Sequence, residues 1–224
     1  MKAVILAAGL GRRLGKPYPK ALIEMPNGKT LLENQISILR DLGIKEIIVV
    51  VGFKKEIIME RFPEVLYVYN PYFGISNTAF SLRLALEQIK DDDIIWINGD
   101  VYFENKVLQR ALSVKSNCVV VNKALCGEEE VKYSLDSSGR RVTSISKELT
   151  NYEGEALGIN KVQKEDFAKF LFYLKKCSSD DYFERAMDLA IKAGDLEFLP
   201  VDVSDLVCFE IDFEEDLDFF KKGK

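Results

Sequence analysis

Residues 6–20, LAAGLGRRLGKPYPK, gather small and basic side chains into one short stretch. Ala7, Ala8, Gly9 and Gly11 let the backbone approach a ligand closely, and consecutive N–H groups in such a loop bind phosphate oxygens. Arg13 and Lys20 add positive charge at the same place, so an anion is the natural occupant. A glycine-rich turn with surface basic residues is the plain alternative. The string fits neither G-x-x-x-x-G-K-[ST] nor G-x-G-x-x-G, because Leu14 stands where the third glycine of the latter would be.

Carboxylates that could answer a phosphate site through a cation occur twice. Asp100 closes IIWINGD, leaving the carboxyl end of a predicted strand directly after Gly99. Asp212 closes LVCFEID with Glu210 two residues earlier, and the strand period of two points both toward one face. Magnesium takes a few carboxylates together with phosphate oxygens and water, which makes these three its candidate ligands. Each is otherwise a turn residue or, for Asp212, a helix N-cap. The chain has no histidine, and Cys118, Cys126, Cys177 and Cys208 form no C-x-x-C pair. Zinc and imidazole chemistry are therefore not expected, and proton transfer must use carboxylates, lysines, tyrosines or metal-bound groups.

The elements that carry these groups are read from apolar periodicity. KAVILA (2–7), EIIVVV (46–51) and IIWI (94–97) are continuous apolar runs, the mark of strands covered on both faces of a parallel sheet. Between them, residues 31–42 align Leu31, Leu32, Gln35, Ile38, Leu39 and Leu42 near one stripe, with Gly43 as a stop. Helices are also predicted over 54–61, 78–89 and 104–113, and a strand over 65–69. Such alternation implies right-handed crossovers and a doubly wound sheet. Beyond about residue 125 the pattern changes. Two strands around a DSSG turn are predicted in 131–147, then a strand over 156–162, helices over 164–176 and 180–193, a strand over 206–211 and a helix over 214–221.

The expected fold is a single α/β domain over 1–224, with a mixed, mainly parallel sheet and a small β excursion. Residues 1 to about 125 would bind nucleotide, and those from about 126 would bind an acceptor and complete the metal site. With 47% hydrophobic and 30% charged residues the chain is globular in composition, and no apolar run approaches the roughly 20 residues of a membrane span. Met1 leads straight into an apolar strand without a secretory signal, so the expected address is cytoplasmic, away from membranes. A formal net charge of −5 argues against broad neutralisation of nucleic-acid phosphates. Oligomeric state is not legible.

Taken whole, the N-terminal string reads strand, L-A-A-G-x-G-x-R-L, a short stretch, then P-K. It resembles the signature of the sugar-phosphate and cytidylyl nucleotidyltransferase superfamily. The stretch between Arg13-Leu14 and Pro19-Lys20 is Gly15-Lys16-Pro17-Tyr18, shorter than in many sugar nucleotidyltransferases. The resemblance implies a Rossmann-like nucleotidyltransferase fold and a nucleotide loop of Leu6, Ala7, Ala8, Gly9 and Gly11. It places Arg13 on the β- and γ-phosphates and Lys20 on the α-phosphate. It also implies an aspartate at the end of the fourth strand region and another near the C-terminus, so that Asp100 and Asp212, supported by Glu210, would hold magnesium.

Segments 70–82 (NPYFGISNTAFSL), 144–149 (SISKEL), 152–162 (YEGEALGINKV), 181–190 (DYFERAMDLA) and 207–217 (VCFEIDFEEDL) look like the cytidylyltransferase branch acting on phosphocholine, inositol phosphate or aminoethylphosphonate. On that resemblance Lys147 would neutralise the acceptor's phosphate or phosphonate, and Glu155, Tyr182 and Glu184 would line its pocket. Asn77, Thr78 and Ser81 either read the base or ribose or cap the helix they begin. The implied reaction is in-line attack of an acceptor phosphate oxygen on the α-phosphorus of an NTP, preferably CTP, with no covalent enzyme intermediate and no strong general base. Other readings are a sugar-1-phosphate uridylyl- or thymidylyltransferase and a non-catalytic nucleotide-binding regulatory module.

Overall fold

The computed structural model describes residues 1–11, 18–25, 27–123 and 126–211. KAVILA forms β1 (Lys2–Ala7), buried from Ala3 onward. Helix α1 (Leu31–Asp41) starts at a capping box in which Thr30 Oγ1 accepts from the Glu33 N–H and the Glu33 carboxylate accepts from the Thr30 N–H. It stops before Gly43, whose φ of 83° is the left-handed conformation that ends helices. The chain continues through β2 (Ile47–Val51), α2 (Lys55–Arg61), β3 (Leu66–Tyr69), α3 (Thr78–Leu86), β4 (Ile94–Asn98), β5 (Val101–Phe103), α4 (Asn105–Ser113) and β6 (Cys118–Asn122). Then follow β7 (Lys132–Leu135), β8 (Val142–Ser146), β9 (Gly154–Val162), α5 (Lys164–Lys176), α6 (Phe183–Lys192), β10 (Leu199–Asp202) and β11 (Cys208–Glu210).

Nine strands form one sheet with the path β10-β6-β9-β4-β1-β2-β3, from which β7 and β8 branch. Strands β4, β1, β2 and β3 run parallel to one another, as do β10 and β6. Strand β9 lies antiparallel between β4 and β6, which makes the sheet mixed. The predicted excursion is the antiparallel pair β7–β8, whose first strand also pairs with the start of β9. Alternate β1 side chains enter opposite cores. Ala3, Ile5 and Ala7 pack with α1, α2 and α4, while Val4 and Leu6 pack with α3, α5 and α6. This is why β1 reads as an unbroken apolar run: both of its faces are covered.

Some boundaries differ from expectation. Helix α3 ends at Leu86 because Gln88 and Ile89 bond back three residues rather than four. Helix α6 begins at Phe183, since Asp181 closes a turn by accepting from the Ser178 N–H. The expected strand at 206–211 shrinks to β11 and joins no strand of the main sheet. It pairs antiparallel with β5 in a two-stranded ribbon. Strands β5, β6 and β10 were not foreseen. Strand β10 contains Pro200, tolerated because it lies at the end of the sheet path, where one edge has no strand partner among the described residues. The helix expected at 214–221 lies outside the described residues. No helix among the described residues is long and apolar enough to cross a membrane.

Candidate active site

A cleft of about 550 Å³ opens at the carboxyl ends of β1 and β4, where open α/β sheets bind ligands. Leu6, Ala7, Gly9 and Gly11 form one wall, and Gly11 has the left-handed φ of 60°. Ala8 is buried behind them, its carbonyl accepting from the Phe53 N–H at 3.2 Å. A Cβ on Gly52 would stand 2.5 Å from both the Ala8 carbonyl oxygen and Phe73 Cβ, so glycine there lets the β1 loop and the loop after β3 close together. Arg13 lies outside the described residues.

Lys20 opens a single 3₁₀ turn anchored by buried Ala21 and Leu22. Its Nζ lies 2.9 Å from Asp100 Oδ2, and both side chains are partly sheltered. Asp100 stands on the β4–β5 turn. The Gly99 N–H donates to Leu6 O at 3.0 Å, and a Cβ on Gly99 would meet that same oxygen at 2.7 Å, so the close approach requires glycine. Pairing of β11 with β5 sets Glu210 opposite Val101, and the Ile211 N–H donates to Asp100 O. Glu210 reaches the cleft wall and accepts from Asn98 Nδ2 at 3.3 Å. Asp212 lies outside the described residues.

Among the described residues no three His, Cys, Asp or Glu side chains cluster as a complete metal cage. Asp100 and Glu210 nevertheless line the same cleft as hard oxygen donors. Magnesium is held by one or two carboxylates and fills the rest of its shell with phosphate oxygens and water. The donor set present therefore fits magnesium.

Lys147, Tyr182, Glu184 and Glu155 meet at another wall of the cleft. Lys147 follows β8, and its Nζ lies 4.7 Å from the centroid of the Tyr182 ring and 3.6 Å from Glu129 Oε2. From β7, the buried Lys132 donates to the Lys147 carbonyl at 2.7 Å and so fixes where that residue leaves its strand. Glu155 accepts from Asn122 Nδ2 at 3.1 Å. Glu184, in the first turn of α6, is only 6% exposed, and its Oε2 has no hydrogen-bond partner among the described residues. Burial pushes its carboxyl up to about 7, against the opposing pull of its own N–H and of the Lys147 charge.

Asn77 and Thr78 reach the cleft while also holding helices in place. Asn77 Oδ1 accepts from the Thr78 N–H at 2.9 Å as the N-cap of α3, and Thr78 Oγ1 accepts from the Phe183 N–H, tying α3 to α6. Ser81 is not brought to the cleft. It is buried one turn further on and accepts from Asn70 Nδ2. Sequence reasoning overlooked Asn98, Glu129 and the loop residues Phe73, Gly74 and Ser76, all on the cleft wall. Asn98 carries a usable signal, a polar residue ending an otherwise apolar strand two places before Asp100.

Comparison with known proteins gives a match to the sequence family of MobA-like NTP transferase domains over residues 3–128. CMP-5'-(3-aminopropyl)phosphonate synthase of Streptomyces rubellomurinus is 28% identical over 233 residues, which cover 95% of this chain and 37% of that protein. Choline-phosphate cytidylyltransferase of Streptococcus pneumoniae is 41% identical over 120 residues, 50% of each chain. The matches thus span half or less of these relatives' length. Among solved structures, the inositol-1-phosphate CTP transferase from T. maritima superposes with a TM-score of 0.80 at 19% identity, covering 99% of this chain and 96% of that one. The CTP:phosphocholine cytidylyltransferase from Streptococcus pneumoniae gives 0.77 at 25% identity, covering 99% and 97%. The fold is the expected Rossmann-like nucleotidyltransferase fold.

Proposed function

From the premise that this chain belongs to the MobA-like NTP transferase domain family, we propose that it transfers a nucleoside monophosphate from an NTP, CTP by preference, to a small phosphorylated or phosphonate acceptor, releasing pyrophosphate. The observation that carries this reading is a single cleft with a glycine loop and the Lys20–Asp100 pair on one wall and Lys147 on another. Preference for CTP is supported by two of the relatives, whose names are those of a CMP-phosphonate synthase and a choline-phosphate cytidylyltransferase. The acceptor we propose also carries an ammonium group. Beside Lys147, the Tyr182 ring and the carboxylates of Glu129 and Glu155 offer an aromatic face and negative charge to a cation on the same small molecule.

The loop at Ala7–Gly11 takes the triphosphate on its N–H groups, and Arg13 meets the leaving pyrophosphate. Asp100 and Glu210, with Asp212, would hold magnesium, which screens the charge on the phosphates when bound. Lys147 orients the acceptor's phosphate or phosphonate so that one oxygen faces the α-phosphorus in line. Lys20 gives up part of its contact with Asp100 to the α-phosphate oxygens, where negative charge spreads as the new P–O bond forms and the bond to pyrophosphate breaks. No proton has to be removed by the protein, because the attacking oxygen is already ionised near neutral pH, in keeping with a chain that has no histidine.

Pyrophosphate release from each of the common NTPs against phosphocholine, 2-aminoethylphosphonate, inositol-1-phosphate and glucose-1-phosphate tests the proposal. The expected result is turnover with CTP and an amine-bearing acceptor, lost on chelation of magnesium and lost in Asp100→Asn while the circular dichroism spectrum persists. Turnover only with a sugar phosphate and UTP would refute the acceptor and base assignments. Near-normal activity of Asp100→Asn in saturating magnesium would refute the metal assignment.

A further inference from the structure

Gln35 is fully buried on α1 among leucines and isoleucines, where an amide is costly unless it is bonded. Its Nε2 donates to two carbonyls, Asn98 O at 2.9 Å and Val101 O at 2.8 Å. Those carbonyls bracket Gly99 and Asp100, so one amide spans the turn that carries the carboxylate. Both partners can only accept, which fixes the amide with its nitrogen toward the turn. Gln35 Oε1 has no hydrogen-bond partner among the described residues, an uncompensated burial that a leucine at the same place on the stripe would avoid. Two further bonds hold the turn from other directions, the Gly99 N–H to Leu6 O and the Ile211 N–H to Asp100 O. The backbone around Asp100 is thereby tied to β1, to α1 and to the residue after β11.

We infer that Gln35 is a positioning residue for nucleotidyl transfer: from α1 it fixes the Gly99–Asp100 turn so that the Asp100 carboxylate faces Lys20 and the bound magnesium. The inference rests on the proposed metal role of Asp100. Gln35 itself touches neither nucleotide nor metal. It acts by removing freedom from a turn whose carboxylate has to be in place before substrate arrives, since small displacements of a reacting constellation are costly in rate.

Gln35→Met keeps the length of the side chain and removes both donors. We expect kcat to fall about 10- to 100-fold and manganese affinity in the CTP complex, read by electron paramagnetic resonance, to weaken about 10-fold, with the acceptor KM changed by no more than about twofold. A variant that loses only thermal stability, with kcat and manganese affinity unchanged, overturns the inference. Should Gln35→Met not fold, the wild-type protein with isotope-labelled glutamine amides replaces it. There the exchange-protected Gln35 side-chain amide resonances are expected to shift when magnesium and CTP are added, and resonances that stay in place overturn the inference. Wild-type protein that binds no manganese and releases no pyrophosphate removes the functional proposal and this inference together, whereas an active wild type with an equally active Gln35→Met removes only the inference.

Discussion

Glu184 gives the cleft a pH dependence whose sign follows from its burial. Its carboxyl titrates near 7 in the folded chain against an ordinary 4.5, so between those values the native state holds a proton that the unfolded state has released. Its contribution to stability is full below about 4.5, declines as pH rises through that window, and ends roughly 3 kcal/mol lower above 7. Glu184→Gln is expected to remove this slope, and urea midpoints for both proteins at pH 5 and pH 8 check it; parallel slopes would mean that Glu184 ionises freely. The two cleft lysines are expected to separate by kinetics. On the proposed reading, Lys20→Ala should lower kcat with little change in acceptor KM, because a lysine placed at the α-phosphate contributes most as charge develops there. Lys147→Ala should weaken acceptor use by about 1.5–3 kcal/mol, the worth of a charge-assisted hydrogen bond. Equal, small losses from both across several acceptors would place the acceptor elsewhere. The types and order of Lys20, Asp100, Lys147, Tyr182 and Glu184 are legible in the sequence alone, because each belongs to a recognisable segment. What the sequence does not carry is direction. Ser81 sits three residues after Thr78 on the same helix, yet it turns inward to Asn70, while Asn98 and Glu129 turn toward the cleft.

Strand β9 shows how an element can do more than its pattern announces. Its pairing with β6 shifts register between Val119 and Val121, and Gly158 lies within the stretch of β9 that absorbs the shift, at φ 65°. A Cβ there would stand 2.6 Å from Asn98 Nδ2, the group that donates to Glu210. Gly158→Ala is therefore expected to destabilise the fold by about 1–3 kcal/mol through backbone strain and to displace Asn98 from Glu210. An unchanged melting temperature, together with an unchanged crystallographic position of Asn98, would show the bulge to be tolerant. The lone glycine inside the strand predicted over 156–162 is the available sequence signal of this bulge. Strand partners are harder still. Alternation and apolarity announced a strand at 206–211, but nothing local distinguishes a member of the main sheet from the β5 ribbon that β11 joins. The same holds for β7–β8, whose hairpin was visible from its DSSG turn but whose use in setting Lys147 depends on the buried Lys132.

At the scale of the whole molecule we propose that residues 1–224 fold as one unit, although the site draws on both halves of the chain. Strand β9 belongs to the second half yet separates β4 from β6 of the first. Trp96, the sole tryptophan, sits on β4 and stacks on Phe170 of α5 at 4.8 Å, with Phe183 of α6 against its edge. Its fluorescence should therefore report the junction of the halves, and in urea it should change together with far-UV circular dichroism in one transition. Two separated transitions would show two units. The alternating run of helices and strands in the first half made the parallel part of the sheet legible. The antiparallel entry of β9 was not, because an apolar strand does not state its orientation. That late entry also imposes an order on biosynthesis. While a ribosome is still translating the segment after β6, the edge of β4 that β9 covers is open and β6, whose partners β9 and β10 both come later in the chain, has no strand beside it, until Val162 has cleared the exit tunnel. At common elongation rates that interval is on the order of several seconds. For that time the open edge of β4 and the unpaired apolar strand β6 are exposed to each other and to neighbouring polypeptides, so a folding helper that shields them would matter more to the yield of this protein than to its final stability.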